Sequence, residues 1–393
     1  MKSVFPKFKL KYSWGKVGND RIAAATDRFF FLSDIVYGGP GYSWGKNMTN
    51  TYGGFEIKRY ANPNIQWEIS RKQNMGIEAN LFKLADVQVE YFTEYRSRIY
   101  MSRQNLPASM GMSANVFGNL GEVFSKGVDA SVDIKKNIGR DLYVTGRFNF
   151  TYAHGKLVVA SEPDYRYSYL SAVGHPVNQA FGYVAERLFI DENDVLNSPK
   201  QSFGDTRPGD IKYKDINGDG LIDSNDRIAM GYPTVPEINY GFGFSIGYKG
   251  FDLSTFFQGM DRVSFFINAA AIAPFQGYRN ALQVIADNHW SADNPVSETF
   301  WPRFSAGNNV NNTQRSTWWI RNGRVVRMKT LEFGYTIPDR VIRRTPLKNV
   351  RFYFTGQNLF KIASFNLWDP EMGTNGLAYP LQRVYSLGVQ VSF

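Results

Sequence analysis

The chain has 393 residues, which in a soluble protein would make roughly two or three domains, each long enough to bury a core. Aromatics supply 16% of it while mean hydropathy is −0.35, so the apolar surface is concentrated in rings, which argues against disorder; no run approaches the roughly 18 apolar residues of a spanning helix. Cysteine is absent, excluding disulfides, thiolate metal cages and Cys nucleophiles, and the +10 charge is spread singly (Lys7, Lys9, Lys11) or in one turn (Arg340, Arg343, Arg344, Lys348), unlike a nucleic-acid motif.

Met1 leads straight into patterned sequence with no apolar leader, so the chain is expected either to stay inside the cell or to be a piece of something longer. Its dominant signal has period two. Phe8, Leu10, Tyr12 and Trp14 alternate with Lys7, Lys9, Lys11 and Ser13, which predicts a strand with one greasy face. Further strands are predicted at 65–81, 87–99, 128–134 and 142–152. A run at 238–248 sets Ile238, Tyr240, Phe242, Phe244, Ile246 and Tyr248 against Gly, Ser and Asn, and 251–257, 329–337 and 350–354 follow. The chain stops on Tyr385, Leu387, Val389, Val391 and Phe393, again at alternate positions. About ten principal strands result.

A soluble sandwich and a membrane barrel both alternate in this way. Three features favour the barrel. The polar faces carry Gly, Lys, Arg, Asn and Ser, as a watered lumen would; rings gather near strand ends (Trp14 and Tyr152, then Tyr248, Tyr335 and Phe393); and connections alternate between tight turns and long excursions. The tight turns fall at 83–86, 137–141 and 249–250, with 338–349 on the same inner side. The long connections fall at 15–64, 154–237, 267–323 and 362–380, with 181–189 as a local hairpin arm inside the second. An open sheet of ten strands would leave two unpaired edges in hydrocarbon, so more strands are required to close it.

The chain resembles the C-terminal half of the SusC/RagA-type TonB-linked outer-membrane transporters over nearly its whole length. The resemblance rests on Leu10-Lys-Tyr-Ser-Trp-Gly-Lys-Val-Gly-Asn19, Asn62-Pro-Asn-Ile-Gln-Trp-Glu68, Gly127-Val-Asp129, Gly182-Tyr183 and Gly209-Asp-Ile-Lys-Tyr-Lys-Asp-Ile-Asn-Gly-Asp-Gly220. It continues through Tyr248-Lys-Gly-Phe-Asp-Leu253, Trp301-Pro-Arg303, Arg327-Met-Lys-Thr-Leu331, Gly334-Tyr335, Gly356-Gln-Asn-Leu-Phe360 and Asp369-Pro-Glu371. It implies an all-β transmembrane antiparallel barrel of about 22 strands, of which this chain supplies about ten, with long extracellular loops. It further implies a plug and a TonB-contact segment on the part not present here, a SusD-like surface lipoprotein as partner, and uptake of oligosaccharides or peptides. On this reading 1–393 is barrel, and 154–237 and 267–323 are extracellular.

One local motif points to a metal. In Asp215-Ile-Asn-Gly-Asp-Gly-Leu-Ile-Asp-Ser-Asn-Asp226, oxygen ligands fall at the calcium-loop positions: Asp215, Asn217, Asp219, the carbonyl of Leu221, Asp223 and Asp226, with Gly220 at the sharp turn. Asp in place of Glu at the last position shortens its reach, and an Asx-rich turn without an ion is the alternative. Enzyme signals are weak. Gly41-Tyr-Ser-Trp-Gly45 matches a nucleophile elbow but lacks the strand before and helix after that would project the serine, so a flexible loop is expected. His154, His175 and His289 show no metal spacing, and Asp191, Glu192 and Asp194 read as a solvated face. Trp44, Trp290, Trp301, Trp318, Trp319 and Trp368 could stack on a ligand or pack loops, 278–290 could form one amphipathic helix, and the sequons at Asn47, Asn149 and Asn311 have no meaning in a bacterium. The expected function is a non-enzymatic, TonB-energised importer. A passive porin or adhesin barrel and a soluble calcium-binding β-sandwich lectin are the alternatives, and the substrate is undetermined.

Overall fold

A computed structural model describes residues 5–20, 29, 31–293, 295–296 and 298–393. Twelve long strands organise it, all antiparallel to their neighbours: β1 (Lys7–Asn19), β2 (Asp34–Trp44), β3 (Asn50–Arg59), β4 (Glu68–Leu81), β5 (Ala85–Ser102), β6 (Phe117–Ile138) and β7 (Leu142–Val159), then β8 (Ile238–Tyr248), β9 (Phe251–Asp261), β10 (Val325–Thr336), β11 (Asn349–Gln357) and β12 (Val384–Ser392). Ten of them form one sheet in sequence order, β1-β4-β5-β6-β7-β8-β9-β10-β11-β12; β2 and β3 pair with each other apart from it. A short strand, Lys361–Ala363, joins β10 beside β11.

Directly opposed residues share a face, so the register carries the alternation from strand to strand. Phe8, Ala79, Val87, Val132, Phe148 and Phe242 form one row across six strands. Tyr248, Phe251, Tyr335, Phe352 and Val389 form another. This face finds no cover within the described chain: Leu387 is 86% exposed and Leu10 68%. At about 3.4 Å per residue and a tilt of roughly 40°, the 11 residues of β8 rise about 26 Å, matching an outer-membrane apolar band about 25 Å tall. The opposite face is charged. Lys11 bridges Glu78 (2.6 Å) and Glu90 (2.8 Å), Arg147 meets Asp133 at 2.7 Å, and Arg351 binds Asp252 and Glu332 at 2.5 Å each.

The tight connections all lie at one end of the sheet. Lys249 and Gly250 both take positive φ (49° and 90°), the two-residue turn whose twist matches the flanking strands. Gly127 on β6 answers a different need: a Cβ there would stand 2.2 Å from the Tyr152 carbonyl oxygen and 2.4 Å from the Phe92 ring. Among the described residues, β1 and β12 each pair along one side only, so the barrel is not closed by these strands.

Several boundaries differ from the sequence reading. β5, β6 and β7 reach 18, 22 and 18 residues, longer than a bilayer needs, because their polar outer parts go on pairing with one another beyond the apolar band. His154, expected to open the second excursion, therefore sits inside β7, and the excursion spans 160–237. The third begins earlier than expected, with Ser264–Phe266 pairing to Ile320–Asn322. Residues 34–59, expected as part of the first long connection, form the β2–β3 hairpin. Ser43 is thus an ordinary strand residue paired with Thr51, followed by a turn rather than a helix. The helix expected over 278–290 shrinks to Gln283–Asp287. The 181–189 arm is two short strands, Ala180–Gly182 and Ala185–Leu188, which pair with Ile228–Met230 and Ile211–Tyr213 within the same excursion.

Candidate functional site

Among the described residues, the main buried apolar cluster lies in the long connections and not in the sheet. Leu188, Ile211, Ile222 and Ile285 are fully buried, with Tyr213 and Trp319 at 1% exposure, and they pack with Phe265, Phe266, Ile272 and Trp301. Every member of that cluster belongs to 160–237, 262–324 or the last long connection. Together the segments build one lobe over the long-loop end of the sheet.

Hydrogen bonds that a sequence pattern cannot show hold the lobe together. Asp210, wholly buried, accepts from the amide of Arg207 (2.9 Å), from Arg303 Nη2 (3.1 Å) and from the carboxamides of Asn309 and Asn312 (2.8 Å each). Those four donors match the lone-pair capacity of one carboxylate. Arg303 Nε stands 2.8 Å from Oδ1, but too far off line to make a hydrogen bond. Asn311, 1% exposed, donates to the Ile211 carbonyl (2.9 Å) and accepts from Gln201 (2.6 Å), and its carbonyl takes the Tyr213 hydroxyl (2.7 Å). The sequon at Asn311 is therefore interior. Burial pushes the Tyr213 phenol up, so it stays a neutral donor. Gly209, φ +82°, lets the Trp290 ring close on the chain: a Cβ would lie 2.3 Å from it.

The residues singled out for chemistry mostly prove architectural. Trp301 and Trp319 meet at a tilt with ring centres 5.1 Å apart inside the core, which removes them as ligand platforms; Trp290, Trp318 and Trp368 are half-buried against the same cluster, and Trp44 is exposed on the β2–β3 hairpin. Asp191 caps the helix Glu192–Leu196, while Asp194 pairs with Arg187 and, at 3.2 Å, with Lys212. Hydrogen bonding to Arg187 above all holds the Asp194 carboxyl well below the usual carboxylate range. His154 meets Glu237 at 2.5 Å, His175 sits edge-on to Phe181, and His289 stacks on Phe304. The motif pairs find each other as well. Arg327, 3% exposed, pairs with Asp369 (2.5 Å) and Glu371 (3.2 Å), and so ties the last long connection to β10.

The acidic loop 215–226 is well ordered by its own amides. Asp215 accepts from Gly218 and Gly220 (2.7 and 2.8 Å), Asp219 from Leu221 (2.9 Å), Asp223 from Asn225 (2.7 Å), and buried Asp226 from Ile216 and Asp223 (2.8 Å each). Apart from Asp226 Oδ1, which accepts from both Ile216 and Asn217, each carboxylate oxygen keeps a second lone pair, so these bonds leave room for a cation. Among the described residues no three His, Asp or Glu side chains converge as a ready-made cage, so an ion would have to draw the carboxylates inward.

Comparison with known proteins places this arrangement. No family model matches. The chain is 26% identical over 98% of its length to the TonB-dependent receptor P3 of Formosa agariphila, and 23% identical over 100% to the TonB-dependent receptor SusC of Bacteroides thetaiotaomicron. It covers 39% and 38% of those proteins, so it spans about two-fifths of the length of the curated relatives it matches. The fold matches the RagAB peptide importer in its closed-closed state with a TM-score of 0.72 at 19% identity, covering 99% of this chain and 41% of that one.

Proposed function

We propose that this chain, a relative of the SusC/RagA-type TonB-dependent receptors whose sheet is a stretch of outer-membrane barrel wall, is the wall and extracellular lobe of an active importer. The long-loop end faces outward and the tight turns face the periplasm. The plug and the TonB contact would lie on the remainder of the receptor, and a SusD-like lipoprotein would cover the lobe. Cargo would be an oligosaccharide or a peptide, taken in without chemical change. The observation that carries the reading is the uncovered apolar face running without interruption across ten strands, backed by a charged face that suits a wetted interior. In cells expressing the whole receptor, uptake of a solute that supports growth is expected to cease when TonB is deleted. Uptake that continues unchanged would identify a passive barrel instead.

Calcium at the acidic loop belongs to the same reading. Asp215, Asn217, Asp219, the Leu221 carbonyl, Asp223 and Asp226 would hold it, on the strength of their spacing, and the ion would clip the loop by neutralising four carboxylates in one turn. With chelator present, protease cleavage within 160–237 is expected to accelerate several-fold, and cleavage at the same rate with and without calcium would refute the clip.

A further inference from the structure

A cavity of about 420 Å³, within the range of small-molecule sites, opens in the lobe where three long connections meet. Residues 178–180 and Thr234 come from the first, 266–269, 313–315 and Trp319 from the second, and Thr374 from the last. No Asp or Glu lines it among the described residues. Its single charged wall residue is Arg315.

Arg315 is the one charged group in the cavity wall, and it is not neutralised as several arginines nearby are. Arg187 and Arg303 are neutralised by carboxylates, and Arg327 at the lobe's edge is neutralised by Asp369 and Glu371. Arg315 has no acidic partner among the described residues; its guanidinium lies 5.7 Å from the centre of the Phe266 ring, and its side chain is exposed to the cavity. Its backbone, by contrast, is fixed. The Arg315 carbonyl accepts from the Tyr183 amide at 2.9 Å, and Gly182 lies so near that a Cβ would come within 2.4 Å of the same oxygen. A cation held on a rigid backbone, laid over an aromatic face and left without a counter-ion is disposed to receive a planar anion bidentately. The polar groups around it are uncommitted as well. The Asn178 side chain and the Thr374 hydroxyl make no hydrogen bond among the described residues. Asn268 uses only its Oδ1, to cap Ala271, and Gln179 uses only its Nε2. The lining can therefore both donate to and accept from hydroxyl or amide groups flanking the anion. The third wall stays in place because Arg327 and Lys329 grip Asp369 and Glu371 a few residues before Thr374.

We propose that this cleft is a recognition site for a carboxylate-bearing segment of the solute, with Arg315 binding the carboxylate and the Asn178, Gln179, Asn268 and Thr374 side chains holding the neighbouring polar groups. The inference rests on the import reading for the identity of its ligand as cargo, but the site is tested by binding alone. The probes are two matched pairs: tetragalacturonate against its methyl ester, and a tetrapeptide with a free C-terminus against its C-terminal amide. Each is titrated calorimetrically into the whole detergent-solubilised receptor and into its Arg315→Ala form. Arg315 is exposed and makes no structural bond, so the variant should fold, as heat-modifiable migration in gels would verify. The expected result is that one pair shows tighter binding of its acidic member, by roughly tenfold or more, and that Arg315→Ala abolishes that preference by weakening the acidic member most. Which pair responds identifies acidic sugar or peptide. Absence of any acid preference in both pairs, or a preference that survives in Arg315→Ala, would overturn the proposal. Uptake that continues unchanged when TonB is deleted, with the Arg315-dependent preference intact, would count against the import reading alone.

Discussion

Placing an arginine at Phe148 is expected to block assembly of the barrel, whereas the same residue one position further on, at Asn149, is tolerated. Phe148 lies opposite Val132 on one side and Phe242 on the other, near mid-height of the apolar face. Asn149 points to the charged face, opposite Ser131 and Gly241. A lipid-facing Arg at the bilayer midplane costs about 2–4 kcal/mol, and the lost ring contacts add to that, while the wetted side exacts no such cost. The measurement is urea unfolding of the whole receptor in lipid, together with its heat-modifiable gel mobility. Equal damage from both substitutions would mean that the two faces are not lipid and water, and the membrane reading of the sheet would fall with it.

The second large effect is expected at Asp210. Asp210→Ala strips four donors of their acceptor, one of them the Arg303 guanidinium, which is only 20% exposed. Removing one partner of a buried pair costs about 3–5 kcal/mol because the other charge is left without compensation. The lobe, not the sheet, should bear that loss. Rapid proteolysis within 160–324 and a red-shifted tryptophan emission are expected, since Trp290, Trp301, Trp318 and Trp319 all pack in or against the lobe core, while the heat-modifiable barrel persists. The exposed neighbour Asp205 is the control: its alanine variant should change stability by less than about 0.5 kcal/mol. Should the barrel unfold in step with the lobe, the two would be a single cooperative unit, contrary to the separation of their cores.

The two substitutions also divide what could be read from the residues alone. Arginine at 148 could be designed from the sequence, because strand existence and facing follow from a local rule. Side chains alternate with period two, and lipid and water each demand their own kind, so ten runs of alternating residues declare ten strands and both faces of each. The turn at Lys249-Gly250 and the parity of short and long connections were legible for the same reason, since both are properties of contiguous chain. The resemblance carried by motifs such as Trp301-Pro-Arg303 and Asp369-Pro-Glu371 marked the right residues without saying what they do.

What Asp210 does could not be read in that way. Its donors at 303, 309 and 312 are about a hundred positions away, and no periodicity links them, because irregular connections have no repeating geometry to leave a trace. The same holds for Arg315, whose lack of a counter-ion is a fact about every neighbour at once. The sequence left the tryptophans open between ligand platforms and loop packing, and only the structure showed Trp301 and Trp319 as core. Strand existence, facing and membrane residence were thus readable from the sequence, since each is enforced residue by residue through solvent. The lobe, its buried polar hub and its cleft were decided by tertiary structure, since they exist only where distant connections are brought to within hydrogen-bond distance of one another.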